Sequence, residues 1–80
     1  MRKNEIAIVI PCFNESRTIL KVYKKAKNFG KVLIVDDAST DETKKIMKKK
    51  KIKFLNNKKN IGYESSLVNG FKYVFKKWKN

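Results

Sequence analysis

The chain switches three times from a short, unbroken apolar run to a segment with helical spacing, and few folds accommodate that order. "IAIVIP", Ile6 to Pro11, is apolar throughout and is stopped by proline. "VLIVDD" repeats the pattern from Val32, and "IKFL", Ile52 to Leu55, is a weaker third copy ended by the turn-forming "NNKKN". Runs this short and continuous suit strands buried on both faces, as in parallel sheets with helices on each side. Between them the period changes. Ile19, Val22, Tyr23, Ala26 and Phe29 recur at helical spacing within residues 16–29. "STDE", Ser39 to Glu42, predicts a capping box at the start of a second helix, with Ile46 and Met47 as its thin apolar stripe. A third helix is expected from about Tyr63 to Trp78, with Leu67, Phe71, Val74 and Trp78 on one face.

The order is β-α-β-α-β-α. It predicts the α/β class: a three-layer, Rossmann-like arrangement whose parallel sheet has spatial order 3-2-1. Eighty residues make at most one small domain, 1–80, and no linker or longer repeat interrupts it. One consequence follows for the first strand. It is the most continuously apolar of the three, yet this order leaves it at an edge, where a bare apolar strand invites aggregation. The expectation is that something pairs with it: a strand missing from this sequence, or another chain. The sequence reads as half of a sheet.

Composition narrows the function classes. Hydrophobic residues are 41% of the chain and aromatics 11%, a globular balance. Twenty-one basic residues against seven acids give a net charge of +14, which favours anionic partners. The lysines are spread over faces that solvent should cover, so charge alone does not signal specific nucleic-acid binding. The lone Cys12 excludes an internal disulfide, and the lack of histidine argues against a zinc site. It also removes any serine–histidine or cysteine–histidine nucleophile. The longest apolar run, Ile6 to Ile10, is too short to span a bilayer, and no signal peptide is visible. These features suit a cytoplasmic chain, with peripheral attraction to an anionic membrane surface left open by its lysines.

In open α/β sheets, ligands bind outside the carboxyl ends of the strands. Here the loops at those ends are "PCFNES", "DDASTDE" and "NNKKNIG". Five of the seven acids, Glu15, Asp36, Asp37, Asp41 and Glu42, fall in the first two. Asp41 and Glu42 are explained by a helix start, and Glu15 fits either a dipole role or a ligand role. Asp36 and Asp37 are harder to explain structurally, because adjacent carboxylates repel and Ser39 already serves the expected cap. Carboxylates in such loops accept hydrogen bonds from ribose hydroxyls or base N–H groups. No glycine-rich phosphate loop is present. Phe13 suits stacking on a flat base, or equally covering the sheet end. The lysine run 48–51 sits at a helix C-terminus, where the dipole favours cations.

Taken together, "IVIPCFNES", "VLIVDDASTDET" and "NKKNIGYESSLVNGF" resemble the start of the family 2 glycosyltransferases, inverting nucleotide-sugar enzymes of the GT-A fold. The three elements occur in order over nearly the whole chain, which is far more specific than any one of them. The resemblance implies that Pro11, Phe13 and Glu15 line a nucleoside pocket. It implies that Asp37 hydrogen-bonds the base, usually uracil or guanine, with Asp36 supporting the site. Asn60 and Gly62 would shape the floor of the donor site. The implied partner is a UDP- or GDP-linked sugar.

The resemblance also implies what these residues lack. In the family a fourth strand pairs beside the first and ends in an Asp-x-Asp segment that holds a divalent metal, Mg or Mn, on the donor diphosphate. A later carboxylate acts as general base. Neither feature occurs in this sequence, so no cofactor is expected on these 80 residues and the GT-A domain is incomplete. The expectation is a nucleotide-recognition portion that does not transfer sugar alone, and whose first strand pairs with a missing C-terminal half or with a second copy in a homodimer. Two other classes stay open: a small basic nucleic-acid-binding module, and an interaction subunit using its free sheet edge.

Overall fold

The computed structural model describes residues 2–78. After a 3-10 turn at Lys3–Glu5, three strands alternate with three helices: β1 (Ala7–Cys12), α1 (Ile19–Ala26), β2 (Lys31–Asp36), α2 (Thr43–Lys49), β3 (Phe54–Asn56) and α3 (Tyr63–Lys77). The strands form one parallel sheet in the order β1-β2-β3, the arrangement expected from the alternation. Register sets Cys12 beside Asp36 and Asp36 beside Asn56. All three strands therefore end level. One further rung, Asp37 N–H to the Cys12 carbonyl and Asn57 N–H to the Asp36 carbonyl, extends each pairing into the loops.

β2 is the centre of the molecule. Leu33, Ile34 and Val35 are fully buried, and burying a side chain of this size is worth about 1.5–3 kcal/mol. Alternation along the strands divides the core. Ile10, Cys12, Val32, Ile34 and Phe54 meet Ile19, Met47 and Ile52 on the side covered by α1 and α2. On the opposite side α3 lies against β1 and β2. It comes so close that a Cβ on Gly70 would sit 2.3 Å from a methyl of Val9 and 3.0 Å from one of Val35.

That closeness sets the sheet contact to one side of the apolar face expected for α3, whose Leu67, Val74 and Trp78 are half-buried. The helix's fully buried residues are Ser66 and Gly70, whereas Phe71 is half-exposed and Phe75 is 82% exposed. Small residues win the inner face because only they allow the helix backbone so near the sheet. The expected Ser39–Glu42 capping box is also replaced. The Ser39 hydroxyl donates to Asp36 Oδ1 at 2.6 Å and accepts the Asn14 N–H at 2.9 Å. With Ser39 drawn inward, Asp41 accepts the Thr43 N–H at 2.9 Å, and α2 begins only at Thr43.

Within the described residues β1 pairs on one side only. Its residues Ile8 to Pro11 are half-buried, against the sealed centre of β2.

Candidate functional site

The level strand ends bring the three loops into one polar assembly, and Asn14 joins the first to the second. Its backbone has φ +52°, a left-handed conformation that asparagine tolerates better than most residues. From there its Oδ1 accepts the N–H groups of Thr40 at 2.7 Å and Asp41 at 3.2 Å. The Glu15 N–H donates to the Thr43 hydroxyl at 3.0 Å, and Asp41 accepts the Ser16 N–H at 3.3 Å. The hydrogen bonds from Thr43, first its hydroxyl, hold the Asp41 carboxyl down at about 2 against a smaller opposing effect of desolvation.

The two adjacent aspartates point to different tasks. Asp36 is completely buried beneath the loops. Its carboxylate accepts the Ser39 N–H at 3.0 Å and the Ser39 hydroxyl, with the Cys12 thiol at 3.5 Å and the Lys44 ammonium at 4.0 Å. This set of partners explains how a buried charge is tolerated. Burial, reinforced by the Asp36 carboxylate, pushes the Cys12 thiol up to about 12.

Asp37 turns the other way and fastens the third loop. Its Oδ1 accepts the Ile61 N–H at 2.8 Å and the Asn57 amide at 3.0 Å, and its Oδ2 accepts the Gly62 N–H at 2.9 Å. The Asn60 amide donates to the Asp37 carbonyl at 3.3 Å. Burial of Asp37 works against its charged form, but the hydrogen bonds from Ile61, Asn57 and Gly62 outweigh it. The carboxyl lies below the ordinary aspartate value. Gly62 has φ +95° and ψ 166°, a region essentially restricted to glycine, and no heavy atom lies within 4 Å of where its Cβ would be. Glycine is therefore needed for backbone conformation, which aims its N–H at Asp37 as α3 begins.

Above this framework lies an open pocket of about 340 Å³, at the lower end of the range for small-molecule sites. Pro11, Phe13, Glu15, Asp37, Asn60 and Gly62 all line it, together with Cys12, Tyr63 and Ser66. Of the residues singled out from the sequence, Asp36 alone does not line it. Phe13 is 43% exposed and Tyr63 67% exposed, so two aromatic rings are available to a flat ligand. Asp37 is 4% exposed and offers a narrow acceptor contact rather than a two-pronged grip.

Sequence reasoning did not find Asn14, Asn57 or Ser66. The Asn57 amide bridges Asp37 and the Ser66 hydroxyl at 3.0 Å each, which sets the third loop against the first turn of α3. The available signal was asparagine where the turn after an apolar run begins, which local reasoning assigns to the turn itself. Among the described residues no group of three or more His, Cys, Asp or Glu side chains could hold a metal ion. Asp36 and Asp37, adjacent in the chain, are each committed to the protein's own donors.

A parallel sheet flanked by helices, with a pocket over its carboxyl ends floored by an aspartate-anchored Asn-x-Gly turn, defines an α/β protein of the Rossmann-like kind. More specifically, the chain belongs to glycosyl transferase family 2, whose family model matches residues 7–79. It is 35% identical over 74 residues to the uncharacterized protein MJ1222 of Methanocaldococcus jannaschii, covering 90% of this chain and 30% of that one. It is 39% identical over 73 residues to the uncharacterized protein MJ0544 of the same organism, covering 82% of this chain and 32% of that one. The chain thus spans about a third of the length of these curated relatives. No solved structure matches it.

Proposed function

We propose that the chain is the donor-recognition portion of a glycosyltransferase GT-A domain, binding the nucleoside part of a UDP- or GDP-linked sugar. The observation that supports this reading most strongly is that residues from three separate loops, Pro11, Phe13, Glu15, Asp37, Asn60 and Gly62, line a single pocket at the strand ends. In this reading the base lies between the Phe13 ring and the loop carrying Asn60 and Gly62, and its N–H donates to Asp37. A carboxylate kept ionised well below neutral pH is a suitable acceptor. Asp36 acts from beneath, holding Ser39 and through it the Asn14 backbone, so that the first two loops keep their shape.

Recognition and transfer are separate demands. Departure of a nucleoside diphosphate needs its developing charge neutralised, and the acceptor hydroxyl needs a base. The described residues provide no metal-holding cluster, and Asp37 is engaged by three donors. We assign these 80 residues binding, with transfer requiring further residues. A divalent metal belongs to the complete family domain.

Titration of the chain with UDP, GDP and the corresponding nucleosides tests the reading. Phe13→Ala is the informative variant because its ring is partly exposed and carries little of the fold. The expected result is saturable binding weakened about tenfold by Phe13→Ala, a typical stacking loss of 1–3 kcal/mol. Absence of binding to every nucleotide by the folded chain contradicts it. Asp37→Ala is less useful, since it also releases the third loop.

A further inference from the structure

The nucleotide reading leaves the outer face of α3 unused. Val68, Phe71 and Phe75 follow one another at i, i+3 and i+7, so they share one side of the helix, and they are 47%, 50% and 82% exposed. The opposite side, at Ser66 and Gly70, is the one pressed on the sheet. A helix that presents two phenylalanines and a valine directly to water has a partner that is apolar where they meet it.

Charge around the stripe restricts that partner. The C-terminal half of α3 carries Lys72, Lys76 and Lys77 and no acid, since Glu64 in the first turn is the helix's only one. One further lysine reaches the end of the helix from the sheet side, the Lys31 ammonium standing 4.3 Å from the centre of the Trp78 ring. The face therefore combines exposed phenylalanines with long cationic side chains at its rim, Lys72 and Lys76 on the helix and Lys31 beside Trp78.

We propose that the outer face of α3 is a peripheral docking surface for an anionic lipid bilayer, with Phe71 and Phe75 entering the acyl boundary and the lysines meeting the headgroups. Amphipathic helices with lysines beside an aromatic apolar face bind in this way, and lysine stems reach from apolar depth to a charged surface. A second copy of the chain fits less well, because it brings the same cations against Lys72 and Lys76 within a molecule of net charge +14. Nucleic acid answers the lysines but leaves Val68 and both phenylalanines without an apolar counterpart. The pocket lies at the N-terminal end of α3, about 18 Å along the helix from Phe75 at 1.5 Å per residue. Its mouth stays in water while the far end is anchored.

The test is co-sedimentation of the full 80-residue chain with vesicles of phosphatidylcholine alone and of an equal mixture with phosphatidylglycerol. Binding to the mixed vesicles, with little to phosphatidylcholine, is expected. Phe71→Ser with Phe75→Ser should weaken it about tenfold. Phe29→Ser, which removes a ring 68% exposed after α1, should leave it unchanged. If the double variant loses its circular dichroism signature, Phe75→Ser alone still decides the matter, with a loss of about threefold expected. Three results overturn the proposal: no binding to the mixed vesicles, binding unaffected by the phenylalanine variants, or a dimer in ultracentrifugation that the same variants dissociate. Vesicle binding and nucleotide titration are separate readouts, so either can fail without the other.

Discussion

The carboxyl end of the sheet and the border formed by β1 and the outer face of α3 are built to opposite standards. At the sheet end, polar groups brought out of water find partners, and no described buried side-chain nitrogen or oxygen lacks one. Asp36 and Asp37 alone gather Ser39, Cys12, Lys44, Asn57, Ile61 and Gly62. At the border, a strand of Ile, Val and Ile pairs on one side only among the described residues, and Phe71, Phe75 and Val68 face water. The difference separates what these residues complete by themselves from what they leave open. The loops around the pocket hold one another by hydrogen bonds, whereas the border leaves apolar side chains facing water.

Variants can break this comparison, and the largest effect should come from Asp37. Asp37→Ala strands the N–H groups of Ile61 and Gly62 and the Asn57 amide, and should cost about 3 kcal/mol in denaturant unfolding. A cost near zero would mean that the site does not hold its own loops. Gly70→Leu comes next. Its side chain would collide with Val9 and Val35, and overpacking of this kind costs about 1–3 kcal/mol.

Acid titration probes the same region more gently. Asp37 and Asp41 both have folded-state values below the ordinary aspartate value, Asp41 at about 2. Such groups contribute stability that is present above the unfolded value, near 3.8, and lost as pH falls through the folded one. Stability should therefore decline from about pH 4 toward pH 2, and Asp41→Asn should flatten part of that decline. Cys12, buried and raised to about 12, should resist alkylation at pH 8 until the chain is unfolded. The smallest effect belongs to the border: Phe75→Ser should change stability by less than about 0.5 kcal/mol. A larger loss would show the ring covered in solution and would remove the contrast.

The sequence carried the strands, their order and most of the pocket lining, because each rests on a local signal. Unbroken apolar runs mark buried strands, and the residues just after them must gather at one end of a parallel sheet. Less legible were the bonds between loops distant in the chain. Asn14 ties Thr40 and Asp41, and Asn57 ties Asp37 to Ser66, yet each asparagine looks locally like an ordinary turn residue. Ser39 misled for the same reason. Its local pattern is a helix cap, but the buried Asp36 carboxylate competes for its hydroxyl. On α3, hydropathy pointed to Phe71, whereas the sheet's close approach selected Gly70 and Ser66.

The central claim is that the pocket over the strand ends recognises a nucleoside diphosphate. Backbone amide shifts of the isotopically labelled chain, followed during titration with UDP and with GDP, test it most directly. Saturable shifts should cluster at Phe13, Asp37, Asn60, Gly62 and Tyr63, while the amides of Phe71 and Phe75 stay in place. No shifts with either nucleotide, or shifts confined to the lysines of residues 48–51, would contradict it.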